Sequence, residues 1–340
     1  MTFLVRGLAA VCILLFPLLV AAPSQSQSAP EPPARIEIFS KLIDSFESRD
    51  PARRRFGALE FRGGLQLASP HKEFGGLSGL RVSADGTNFL ALSDKAHWIR
   101  GRIDYRGGKP VGISNAEIAP MIGPDGRTLE ARGWFDTESL ADDGGTLYVG
   151  IERVHQIVKF DYAKFGLLAR AQIVPRPPEF AKLPLNRGIE CLSVAPKQGP
   201  LAGTLIAISE RGLDAAGNIR GFLIGGKTPG EFTVKRIGEF DITDCTLLPD
   251  GSFLILERFF TWRQGVAMRL RRLQLSAMVP GALLDGPVLM EADLGYEIDN
   301  MEGLSAHRAA NGDIVLTLVS DDNFSAIQRT ILLQFTLVDP

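Results

Sequence analysis

The sequence predicts an all-β protein, a β-propeller of four-stranded blades, and three observations carry that expectation. A strand–turn–strand module recurs five times at intervals of roughly 50 to 60 residues, the scale of one propeller blade. Further β-rich runs lie between the modules, enough to bring each to about four strands. Helical periodicity is scarce, apart from a short helix expected around Ser40 to Ser48. Repeated four-stranded units suit a propeller because radial repetition leaves only short, protected sheet edges.

The modules read in order as "FGGLSGLRVSADGTNFLALSDK" from Phe74, "FDTESLADDGGTLYVGIERV" from Phe135 and "NRGIECLSVAPKQGPLAGTLIAISERG" from Asn186, then "FDITDCTLLPDGSFLILERFF" from Phe240 and "DNMEGLSAHRAANGDIVLTLVSDDNF" from Asp299. Each holds an apolar strand, a turn containing Asp or Gly, a second apolar strand and an acid at its end. Runs such as "HQIVKFDY" and "AMRLRRLQL" supply the third strands. At the ends, "GALEFRGGLQL" (Gly57 to Leu67) has the place of a strand preceding a repeat, and "TILLQFTL" from Thr330 is a late strand without a successor. Together they complete one shared blade, so the ring is closed by the N-terminal strand. The count is five blades, or six if the segment around Arg35 to Ser40 contributes a further one.

Composition agrees with one ordinary globular domain: 45% hydrophobic residues, 36 glycines, 21 prolines and a formal net charge of −2. That excludes bulk disorder and gives no reason to expect a nucleic-acid partner, whose phosphates require clustered Lys and Arg. The "RRR" of Arg53 to Arg55 is too short for such a patch and reads as a solvated turn. Residues 1–28 carry one Arg, an apolar run and then small residues, the pattern of a secretory signal peptide. The mature protein is therefore expected to be soluble, periplasmic or secreted, with no stable membrane insertion after cleavage. Residues 29–56 read as a tether and lead-in, and 57–340 as the propeller. Cys12 falls inside the apolar run, which leaves Cys191 and Cys245, either paired or as buried thiols.

Acids recur at two places in the repeat. At the start of the first strand stand Ser78, Glu138, Glu190, Asp244 and Glu302; at the end of the second strand stand Asp94, Glu152, Glu210, Glu257 and Asp321. Arg153, Arg211 and Arg258 follow three of the second set and are expected to hold those carboxylates ionised. Innermost strands line a propeller's channel, so the first set is expected to converge near the axis. Like charges there repel unless a cation or a network of donors compensates. Oxygen ligands without matching His or Cys favour a hard cation such as Ca²⁺ over zinc. Glu138, Glu190, Asp244 and Glu302, with Asp94 and Asp321, are therefore the expected metal ligands; a water-filled polar channel is the other reading. Glu152, Glu210 and Glu257, with His97 and His155 close to the second set, are the expected acid–base residues. His71 and His307 read as surface or turn residues. Ser78 in "GGLSGLR" lacks the second glycine of a nucleophile elbow, so a serine hydrolase is weakly supported.

The motifs "FGGLSGL", "LSDK", "DTESL", "IERVHQI", "NRGIECL", "LPDGSFLILER", "DNMEGLS" and "SDDNFSAIQRTILLQF" resemble, in order from about Gly57 to the C-terminus, the exported bacterial phytase-like family named for the esterase-like activity of phytase. The resemblance implies a propeller with loose kinship to calcium-dependent phytases and esterases. The chain has no run of Lys and Arg to grip a polyphosphorylated substrate. The expected function is thus a Ca²⁺-assisted hydrolase of a small-molecule ester or phosphoester; a non-catalytic binding or scaffold propeller is the alternative.

Overall fold

The computed structural model describes residues 31–248 and 250–338. The segment read as a signal peptide, with Cys12, lies outside the described residues. Five sheets, antiparallel apart from one short parallel pairing at the outer edge of blade 3, form a closed ring, one per module. Their innermost strands are Leu77–Val82, Thr137–Asp143, Ile189–Val194, Asp241–Leu247 and Asn300–Arg308, numbered here as blades 1 to 5. Within each blade the chain runs outward to a second strand: Asn88–Ser93, Thr146–Ile151, Thr204–Leu213, Phe253–Thr261 and Ile314–Asp321. The inner-to-second turns bring glycines to positive φ, as at Gly86 (76°), Gly251 (84°) and Gly312 (92°), where a Cβ would be strained. In the first, the Asp85 carboxylate also accepts from the Ser83 hydroxyl and the Thr87 N–H.

Ring closure follows the expected route: Leu59–Ala68 pairs antiparallel with Thr330–Leu337 and completes blade 5. The blade count is five because the lead-in does not form a sixth sheet. Ala34–Arg35 adds to the outer edge of blade 1, and Phe39–Ile43 pairs with Leu59–Ala68 at the outer edge of blade 5. The short helix expected around Ser40 to Ser48 is therefore a strand over its first half. An open edge offers a row of unpaired N–H and C=O groups, and pairing with it overrides a weak local helical pattern. Five buried apolar clusters lie one between each pair of neighbouring blades. The ring is thus held by blade-to-blade packing around its whole circumference. Cys191 and Cys245 form a disulfide across the innermost strands of blades 3 and 4, with Cα atoms 5.1 Å apart.

Arg81 of blade 1 occupies the axis. Its guanidinium donates to the carbonyls of Leu80 (2.5 Å), Leu192 (3.0 Å), Leu304 (3.1 Å), Cys245 (3.5 Å) and Leu140, one from every blade's innermost strand. This ring defines which residues are equivalent. Each innermost strand also carries a bulge, where one residue has no partner on the second strand: Ser78, Glu138, Glu190, Thr243 and Glu302. In blade 4 the bulged residue is Thr243, so Asp244 sits one position beyond the first acid set.

Candidate active site

The bulge turns Glu138, Glu190 and Glu302 toward the axis at the end where the innermost strands begin. Asp94, Glu152, Glu210 and Asp321 close over the same end from the second strands, and both sets line a single cavity of about 200 Å³. The two layers read from the sequence are one site. Backbone bonds fix the second set: the N–H of Asp94, Glu152 and Glu210 donates to the carbonyl of Gly76, Asp136 and Gly188 respectively, at 2.8–2.9 Å. The Gly188 N–H in turn donates to Glu152 Oε1 at 2.7 Å. A Cβ on Gly188 would lie 2.8 Å from Glu152 Cγ and 3.0 Å from His155 Nδ1, so only glycine permits this approach.

Two acids of the expected site are elsewhere. Asp244 is fully buried near the axis, accepting from the N–H of Cys245 and Leu304 at 2.7 Å, with Arg81 Nη1 at 3.6 Å. Glu257 lies between strands of blade 4, 2.8 Å from Arg271 and 3.7 Å from Arg269. The reason is a one-residue register difference, which moves a side chain to the opposite face. Ile242 pairs with Glu257, whereas in blade 3 Ile189 pairs with Ser209. Blade 4 therefore presents Arg258 where the others present an acid, and Arg258 reaches Glu210 at 3.2 Å and Glu302 at 3.5 Å. The two histidines also stand apart from the cavity wall. His97 donates its Nδ1–H to the Lys95 carbonyl (3.0 Å) and faces a separate pocket with His71 and Glu73. His155 packs behind Gly188, and burial lowers its pKa, so it is neutral near pH 7.

Eight carboxyl groups line the cavity against the guanidiniums of Arg187 and Arg258. Arg187 holds Glu210 through both carboxylate oxygens, at 2.8 and 2.7 Å. Burial is the leading cause that pushes the remaining acids upward. Asp94 is raised to about 6, with Asp136 and Glu302 adding to it, and Glu152 to about 7 against the opposing bond from Gly188. Glu138 and Glu190 are driven well above the carboxylate range by burial and then by neighbouring carboxylates. Asp321 is raised well above it by burial and then Glu302; Glu302 is raised by burial and held back by Arg258. The expectation that following arginines keep the second set ionised is therefore overturned for Glu152. Arg153 instead stacks over Phe135, 4.3 Å from the ring centroid, and Arg211 pairs with Asp241.

The family described as Phytase-like, esterase-like activity of phytase, matches residues 72–324 of the chain. The chain belongs to the phytase-like family. No curated protein matches its sequence. Among solved structures this phytase-like propeller is similar to an endo-arabinase from Bacteroides thetaiotaomicron (9% identity over 79% of this chain and 96% of that one, TM-score 0.45). It is similar also to the Myxococcus xanthus glutaminyl cyclase (13%, 79% and 94%, TM-score 0.39) and to the PQQ-bound aldose sugar dehydrogenase of Streptomyces coelicolor (14%, 91% and 99%, TM-score 0.39).

In the phytase-like chain the donor chemistry of the cavity suits a hard divalent cation. Glu152, Glu190 and Glu210 each offer an oxygen, all within 4.8 Å of one another. Oxygens across a Ca²⁺ ion are separated by up to roughly 5 Å, twice a metal–oxygen distance of about 2.3–2.6 Å. The leading influences on Glu190 are burial and like charges, so its carboxylate has the least internal compensation of the three. Four more lining residues escaped the sequence reading: Asp136, Asn186, Arg187 and Asn323. Asp136, Asn186 and Asn323 hold φ of 58°, 53° and 48°, a left-handed conformation that Asp and Asn tolerate best. The Asp or Asn in these three loops was the available signal.

Proposed function

We propose that the chain is an exported, divalent-cation-assisted hydrolase that cleaves an ester or phosphoester at the axial cavity. Glu152, Glu190 and Glu210 would hold the cation, with Ca²⁺ the leading candidate on the all-oxygen donor set. The convergence of these three carboxylates in a cavity otherwise rich in uncompensated acid carries the reading. When bound, such a cation polarises the ester oxygen and lowers the pKa of water.

The chain's own groups supply the rest. Arg187 is 40% exposed at its side chain and stands at the opening, where it orients an anionic oxygen of the substrate while anchored to Glu210. Asp94, poised at about 6, accepts the proton of the attacking water at a carboxylate oxygen and returns it to the leaving oxygen. Arg81 blocks the axis with its ring of carbonyls, so substrate enters from the acid-bearing end. Export is supported by the N-terminal signal pattern and by the Cys191–Cys245 bridge, a bond that persists in oxidising compartments.

The test is hydrolysis of aryl ester and aryl phosphoester substrates by the mature protein, in EDTA and after Ca²⁺ is restored. Turnover that returns with Ca²⁺ and is lost in Glu190→Gln is expected. Full turnover in EDTA would contradict the reading. One observation favours a binding propeller instead: Arg258 ties blades 3, 4 and 5 through Glu210 and Glu302, as a purely stiffening contact would. That alternative predicts a melting temperature raised by Ca²⁺ without turnover of either substrate.

A further inference from the structure

Among the described residues the four most exposed large apolar side chains are Trp262 (92%), Ile327 (86%), Leu185 (79%) and Leu294 (63%). Single exposed apolar residues are ordinary. Their location here is not. Innermost strands begin, and second strands end, at the cavity's end of the ring. Loops that enter innermost strands therefore emerge there, as do the turns between second and third strands. Leu185 is on the loop entering Ile189–Val194, and Leu294 on the loop entering Asn300–Arg308. Trp262 is on the turn between Phe253–Thr261 and Gly265–Leu273; Ile327 is on the turn between Ile314–Asp321 and Thr330–Leu337. All four stand at the cavity's end of the ring, on blades 3 to 5. The blade 4 hairpin is braced at its tip: the Phe260 and Trp262 rings meet at 5.4 Å, and Leu294 packs so closely on Gly265 that a Cβ there would lie 2.1 Å from Leu294 Cδ1.

We propose that this arc docks the propeller on a phospholipid surface, with the acid cavity opening at the lipid–water boundary. Trp262 shares its tip with Phe260 and Leu294, and Leu185 and Ile327 project from other loops, so the apolar side chains are spread over three blades. A folded partner would bring roughly 800 Å² per side with a close-packed apolar core. Such a partner would also cover the end of the ring at which the cavity opens and close the entry that the proposed function requires. A hydrated headgroup layer admits isolated apolar tips one by one and leaves the cavity wet. Trp is the side chain best suited to that boundary. Exposed Arg263 follows Trp262, and exposed Lys182 lies three residues before Leu185, cations suited to phosphate oxygens beside the apolar tips. Docking is peripheral, since no described helix is long and apolar enough to cross a membrane.

The test uses the mature protein and vesicles of mixed phosphatidylcholine and phosphatidylglycerol, followed by co-sedimentation and tryptophan emission. Trp98 is fully buried and Trp134 half-buried under Arg132, so a blue shift that disappears in Trp262→Ser reports Trp262. Binding with a blue shift is expected, weakened about tenfold or more by Trp262→Ser and again by Ile327→Ser, at unchanged melting temperature. Both readouts are independent of turnover. Failure of the unaltered protein to bind these vesicles would overturn the proposal, as would undiminished binding by the double variant. A concentration-dependent dimer that Ile327→Ser abolishes, without vesicle binding, would assign the arc to a chain–chain contact and equally overturn it.

Discussion

Replacing Arg81 with Leu removes the guanidinium that occupies the propeller axis, and the loss can be worked from its partners. The guanidinium gives up its bonds to carbonyls of five blades and leaves Asp244, whose side chain is fully buried, without its ion pair at 3.6 Å. Charge-assisted hydrogen bonds contribute about 1.5–3 kcal/mol, and stranding a buried charge costs about 3–5 kcal/mol. The two contributions separate with pH. Burial raises Asp244 to about 7 from an ordinary 3.8, against the lowering effect of Arg81. A carboxyl raised in the folded state adds stability below its unfolded pKa and loses it as pH climbs through the folded one. Without Arg81 the folded pKa rises further, so that window extends to higher pH. At pH 5 Asp244 holds a proton in either protein, and the variant loses about 2–3 kcal/mol in hydrogen bonds alone. At pH 9 the loss approaches about 5 kcal/mol, on the order of 10 °C in melting temperature. Urea unfolding at both pH values, with chelator present, measures this, and Asp244→Asn in the same background should recover the pH-dependent part. A loss under about 1 kcal/mol, or one equal at both pH values, would refute the axial-pair reasoning.

Glu257→Gln should destabilise by about 3 kcal/mol by removing the buried anion shared by Arg271 and Arg269, which keep only their outer partners Asp285 and Glu291, yet leave the KM of the proposed hydrolysis unchanged. Steady-state kinetics beside chemical denaturation separates the two effects. Gly188→Ala forces Glu152 or His155 to move and should weaken Ca²⁺ binding at least about tenfold, read by calorimetric titration, with a stability loss of about 1–3 kcal/mol. Reducing Cys191–Cys245, 54 residues apart, should cost about 4 kcal/mol on the chain-entropy account, seen as a lowered urea midpoint in dithiothreitol.

The fold was legible because the repeat is long and its turns are marked: Asp-Gly and Asn-Gly pairs separate the inner two strands of several blades, and unpaired strands at both ends implied a shared blade. Only the lead-in misled, since Phe39–Ile43 gains its partner from a distant edge that no local pattern reveals. The site was legible in blades 2, 3 and 5, where Glu138, Glu190 and Glu302 each precede by two a leucine whose carbonyl faces Arg81. In blade 4 that leucine is Cys245, and matching acid to acid selected Asp244 in place of Thr243. The same letter matching aligned "LER" with "SER" and chose Glu257 over Arg258. Register across the strand pair, and not the order of letters, decides which face a side chain takes.

Calorimetric titration of Ca²⁺ into the chelator-treated protein, run near pH 7 in two buffers of different ionisation enthalpy, tests the central claim most directly. Saturable binding near one ion per chain is predicted, with proton release as the raised carboxyls ionise and with loss of binding in Glu190→Gln. Absence of binding, or binding that Glu190→Gln leaves intact, would contradict a cation held by Glu152, Glu190 and Glu210.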